Sequence, residues 1–110
     1  MNHQTTYTKD PRDGWTGITR TVVDETPEGE RALIVTTRRS DTGVITTARS
    51  RLEKPDGTTL WVVGRDYWHS IADRKVPCTQ AAVIEQHRSA LACLPELQDR
   101  CREYYDKIAL

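Results

Sequence analysis

Three short segments punctuate the first half of the chain and leave it little freedom: Thr26-Pro27-Glu28-Gly29, Ser40-Asp41-Thr42-Gly43 and Lys54-Pro55-Asp56-Gly57. Each supplies a proline to preset φ or an aspartate to bond its own backbone, and then a glycine to accept positive φ. The stretches they separate, Gly17 to Glu25, Glu30 to Arg39, Val44 to Glu53 and Thr58 to Arg65, are rich in Val, Ile, Thr and Trp, residues that fit a pleated surface. Strands joined by turns this short lie antiparallel and adjacent, so the sequence predicts a four-stranded meander in the order of the chain.

Beyond Arg65 the period changes. Asp66 is placed to cap a short helical turn through Tyr67, Trp68, His69, Ser70 and Ile71, which Lys75-Val76-Pro77 ends. Thr79 then reads as an N-cap. After it Val83, His87, Ala90, Leu94, Leu97, Cys101, Tyr104 and Ile108 recur at alternating spacings of four and three, one stripe of a helix. Pro95 falls inside it, so the segment is kinked near Ala92 or split into two helices with Pro95 at the first position of the second.

The expected fold is therefore α+β: a four-stranded antiparallel β-meander followed by a long C-terminal amphipathic helix, kinked or split at Pro95, packed on one sheet face. All 110 residues form one domain, with 1–14 flexible, 15–65 the meander, 66–78 a connector and 79–110 the helical segment. A continuous helix of about 31 residues spans roughly 46 Å and strands of nine or ten residues roughly 30 Å, so the helix overhangs its sheet. That predicts a homodimer through Leu94, Leu97, Cys101, Tyr104 and Ile108; the competing arrangement is a helical hairpin on one subunit.

Composition narrows the setting. Hydrophobic residues are 36% of the chain and phenylalanine is absent, which implies a thin core of aliphatics and tryptophan. The polar start, the lack of any apolar run of about 20 residues, and three cysteines (Cys78, Cys93, Cys101) without a CxxC pair predict a cytoplasmic protein with reduced thiols and no membrane association. Net charge is zero, yet residues 31–54 carry six basic and two acidic side chains. Local charge is what attracts phosphates, so a neutral chain can still present a basic face.

Alternation along the strands sorts the side chains, provided that Arg39 faces Val44, Glu53 faces Thr58 and Glu25 faces Arg31. One face then collects Val23, Leu33, Val35, Val44, Ala48, Leu52, Trp61 and Val63, with Trp61 opposite Ser50, for the helix to cover. The other carries Arg20, Arg38, Arg49 and Arg51 among Ile18, Val22, Ile34, Thr36, Thr47, Leu60 and Val62, with Asp24 as counter-charge. Those four arginines are the expected binding residues. They suit single-stranded nucleic acid, or an acidic protein surface contacted by an adaptor or inhibitor, or they are plain solvated side chains whose stems cover apolar neighbours. Four strands followed by a long helix that dimerises resembles the arrangement of a single-strand-binding fold, an architectural analogy that no residue motif accompanies and that does not carry function with it.

Catalytic chemistry has little footing. Cys78, just before a helix start, has the position of an activated thiol, but no oriented histidine or second cysteine accompanies it. His87, Cys93 and Cys101 lie on one helical segment, but six residues from His87 to Cys93 put them off a shared face, so no metal site is expected. His69 sits where sheet gives way to helix. The chain carries no P-loop, GxGxxG, HExxH or GxSxG motif. The expectation is a small non-enzymatic regulatory or binding protein without a cofactor.

Overall fold

In the computed structural model the described residues are 3–12, 14–40, 43–61, 69–71 and 79–108. Six strands, β1 (His3–Asp10), β2 (Gly14–Thr26), β3 (Gly29–Ser40), β4 (Gly43–Glu53), β5 (Thr59–Trp61) and β6 (His69–Ile71), precede two helices, α1 (Gln80–Leu91) and α2 (Leu94–Ile108). The strands form one antiparallel sheet in the order β1-β2-β3-β4-β5, with β6 also on the outer edge of β4. The expected α+β class and antiparallel meander hold.

Three departures from expectation have identifiable causes. Residues 3–10, read as flexible, pair with β2 along their whole length. Their run of threonines has β propensity without the apolar alternation that marks a half-buried strand. The β1–β2 connection carries its own punctuation, Asp10-Pro11-Arg12 and then Gly14 at φ 77°, with Asp10 Oδ1 accepting the Arg12 N–H at 2.7 Å. His69–Ile71, expected in a helical turn, is strand β6. The strand expected over 58–65 is described only as β5, Thr59–Trp61; Val62, Val63, Arg65, Asp66, Tyr67, Trp68 and Cys78 lie outside the described residues.

The third departure is the helix. Thr79 caps α1 as expected, its hydroxyl accepting the Ala82 N–H at 3.2 Å. At the other end the Ala92 N–H bonds Arg88 O, the Cys93 N–H bonds Ala90 O, and the Leu97 N–H bonds Cys93 O, each at 3.0 Å. The first helix thus tightens and stops, and a new one begins with Pro95 in its opening turn, where no N–H is required. The segment is split rather than kinked. The three-four phase survives the break, so Val83, His87 and Ala90 of α1 and Leu94, Leu97 and Cys101 of α2 are all buried on one side.

That side meets Val23, Leu33, Val35 and Ala48 of the sheet. The helices follow one another along β2: His87 bonds Thr19, Gln98 bonds Thr21, and Arg102 reaches Val23 O and Asp24. The overhang disappears because the strands are longer than expected. β2 has 13 residues, or roughly 43 Å of extended chain, enough to run beneath both helices. Leu94, Leu97 and Cys101, expected to face a second copy, are therefore covered by the chain's own sheet; the side chains of Tyr104 and Ile108 lie outside what is described.

Candidate functional site

Register decides which side chains share a surface. The β3–β4 pairing matches expectation, Arg39 opposite Val44, and so puts Ile34 opposite Arg49 and Thr36 opposite Thr47. Two other turns shift by one residue. The Thr26–Gly29 turn sets Asp24 opposite Arg31 and Glu25 opposite Glu30, a bulge between Val22 and Asp24 shifts the pairing once more to Val22 opposite Ala32, and the last turn sets Glu53 opposite Thr59. Trp61 consequently pairs with Arg51 rather than Ser50, and Leu60 with Leu52.

The four arginines nevertheless share the face away from the helices. Arg20, Ile34 and Arg49 form one cross-strand row, Val22, Ala32 and Arg51 the next, and Arg38 pairs with Ile45 two rows away on the other side. What changes is their counter-charge. The bulge turns Asp24 to the helix side, where it meets Arg31 at 3.9 Å and Arg102 at 3.5 Å. Glu53 and Glu30 take its place. Glu53 accepts from Arg20 Nε at 3.0 and 3.2 Å and from Arg51 Nε at 2.7 Å, and Glu30 lies 3.7 Å from Arg20. These bonds, that from Arg20 foremost, hold the Glu53 carboxyl below its usual range, and the same bond raises Arg20.

The face is thus divided. At one end Arg20 and Arg51 belong to an ion-pair cluster. At the other, exposed Arg38 and Arg49 flank a shallow concavity of about 300 Å³ whose floor is Ile34, Thr36 and Thr47. A planar guanidinium at each end, hydroxyls and a buried aliphatic between them, suits an anionic group held by charge-assisted hydrogen bonds.

The helix side holds the feature that sequence reading missed. His87 is fully buried and its two ring nitrogens are both engaged: Nε2 lies 2.7 Å from Thr19 Oγ1 and Nδ1 lies 2.7 Å from Thr37 Oγ1. Thr19 continues to Thr5 at 2.7 Å and Thr37 to Thr46 at 2.6 Å, while Gln86 Nε2 donates to Val44 O at 2.9 Å and Thr46 Oγ1 at 3.3 Å. Tyr7 meets the imidazole edge-on, ring centroids 5.7 Å apart, above Gly17. A Cβ at Gly17 would come within 2.8 Å of the Tyr7 ring, so the missing side chain is what lets the rings meet.

One order of donors gives every buried hydroxyl of this chain an acceptor among the described residues. Thr46 receives the Gln86 amide and has one proton, for which Thr37 Oγ1 is the acceptor. Thr37 then donates to Nδ1, leaving Nε2–H to donate to Thr19, which donates to Thr5. In that order the imidazole is the neutral Nε2–H tautomer, and burial pulls its pKa down to about 4. With both nitrogens occupied it is no metal ligand. Cys101 is likewise inert, burial pushing its thiol up to about 11 against a weaker bond from Ser50. No three His, Cys, Asp or Glu side chains among the described residues gather where a metal ion could be held.

No protein-family model, no curated protein and no solved structure matches this chain.

Proposed function

We propose that the chain is a non-enzymatic binding protein whose helix-free sheet face holds an extended polyanion, single-stranded nucleic acid being the ligand that suits it best. The observation that carries this reading is the concavity between Arg38 and Arg49. The arginines offer forked donors to phosphate oxygens and the shallow, open floor accommodates a chain rather than an enclosed small molecule. Arg20 and Arg51 act as a supporting border whose charge Glu53 moderates. No described helix is long and apolar enough to cross a membrane, and unbridged Cys93 and Cys101 agree with a cytoplasmic site of action.

The test is a titration of labelled single- and double-stranded oligonucleotides at several salt concentrations. Loss of both Arg38 and Arg49 should weaken binding and flatten the logarithmic salt dependence by about 1.4, the value for two phosphate contacts on a single strand. No binding at low salt removes the reading. Retention of an acidic protein in the same groove, with no response to oligonucleotide, would favour an adaptor instead.

A further inference from the structure

Among the described strands β1 is the outer one of the sheet and has a neighbour on one side only. Gln4, Thr5, Thr6, Thr8, Lys9 and Asp10 are exposed, so its free edge is not covered by another described element. In an antiparallel ladder every second residue of such a strand turns its N–H and C=O outward, ready to pair. Natural edges are blunted by prolines, bulges or charges directed along them. This one has none over Gln4 to Thr8: five uncharged residues, four of them Thr or Tyr, in unbroken register with β2.

We infer that this edge is where a second copy of the chain docks, β1 against β1, giving one continuous sheet. Three observations select a second copy. Among the described residues the opposite edge of the sheet is made of two three-residue strands, β5 and β6, which offer β1 no strand of matching length, so pairing of β1 with that edge into an open fibre is disfavoured. Pairing of β1 with itself closes after two copies. The charges also agree: Lys9 and Asp10 stand together at one end of the strand, and an antiparallel pair carries them to opposite ends of the interface, where no like charges meet.

Symmetry then fixes the geometry further. Residues directly opposite in an antiparallel pair share a face, so the two-fold axis passes beside a single residue, Thr6 or Tyr7 being the central choices, and runs perpendicular to the sheet. All four helices lie on one side. Both Arg38–Arg49 concavities lie on the other, roughly 30 Å apart at about 4.8 Å per strand. That a longer polyanion spans both rests on the proposed function; the dimer itself does not.

Light scattering over a concentration series, with the full chain, tests the dimer. The mass should rise from 12.6 kDa towards twice that value. Thr6→Lys combined with Thr8→Lys sets lysine opposite lysine with either residue at the axis, and should return the monomer mass at every concentration while circular dichroism stays that of the wild type. A wild type that remains monomeric at high micromolar concentration overturns the inference, as does a folded double variant that still dimerises. Amide exchange of the wild type provides the second measurement should the variant not fold: protection of residues 4–8 should grow with protein concentration, and growth in α2 instead would overturn the edge assignment. Oligonucleotide binding is scored separately, so a monomer that binds and a dimer that does not are distinguishable results.

Discussion

Replacing His87 by leucine tests whether the threonine–imidazole chain has the direction assigned to it. The substitution fills nearly the same volume but removes the acceptor of the Thr37 hydroxyl and the donor to Thr19. Thr37 is fully buried, so its proton is left without a partner, at about 1–3 kcal/mol. Thr19 loses an incoming bond worth about 1 kcal/mol net. Leucine's greater apolarity offsets roughly 1 kcal/mol, leaving a net loss of about 1–3 kcal/mol. Near 4 °C per kcal/mol for a domain of this size, the melting temperature should fall by about 4–12 °C. The order of donors makes a sharper claim. Adding Thr37→Val moves the orphan to Thr46, whose acceptor among the described residues is Thr37, and should restore little. Adding Thr37→Val and Thr46→Val together removes every stranded hydroxyl and should restore most of the loss, since Gln86 keeps its bond to Val44 O. The assay is thermal and urea unfolding of the three variants. Wild-type stability in H87L, or equal recovery by the single and paired valine substitutions, would refute the reasoning.

The same histidine gives the fold an acid dependence. Its folded pKa of about 4 lies below the 6.5 of an exposed imidazole, so the unfolded chain binds the proton more readily between those values. The stability it contributes is complete above pH 6.5 and is lost as pH falls towards 4, by up to about 3 kcal/mol; urea unfolding from pH 7 to 4.5 should show this slope in the wild type and not in H87L. Leu97→Ala should destabilise the chain by about 2–5 kcal/mol in urea unfolding while leaving the dependence of mass on concentration in light scattering unchanged, because Leu97 packs in the subunit's own core. Glu53→Gln removes the carboxylate shared by Arg20 and Arg51 and should tighten oligonucleotide binding while steepening its logarithmic salt dependence by about 0.7–1.4, measured in the same titrations as the arginine variants.

The legible parts of this fold were those written in period and punctuation. Pro-Gly and Asp-Gly turns placed β2, β3 and β4 to within three residues of their observed ends, and the stripe from Val83 to Cys101 gave the buried face of both helices despite Pro95. Strand alternation brought Arg38, Arg49 and Arg51 to one face because the β3–β4 turn has the simple register, and Arg20 joins them because the β2–β3 turn and the bulge each shift its strand by one residue. The bulge at Val23 carries no such mark. It moved Asp24 to the helix side and left Glu30 and Glu53 as the counter-charges beside Arg20 and Arg51. β1 was missed because its threonines and Tyr7 are held by pairing and by one ring contact, not by an apolar face. The polar core was within reach: Thr19, Thr21, Thr37 and Thr46 alternate with the arginine-face residues, and His87 stands on the helical stripe opposite them. Read together, the two patterns require a buried imidazole among hydroxyls. Taken separately, each suggests only hydrophobic packing.

The most direct test of the binding account is a titration of the isotopically labelled chain with a single-stranded oligonucleotide, followed by amide and arginine side-chain resonances. The expected shifts cluster on Thr36, Arg38, Thr47 and Arg49, with smaller changes at Arg20 and Arg51 and none on the solvent-facing residues of α1. Shifts that map instead to Ala81, Ile84 and Arg88 of α1, or no shifts at low salt, would contradict it.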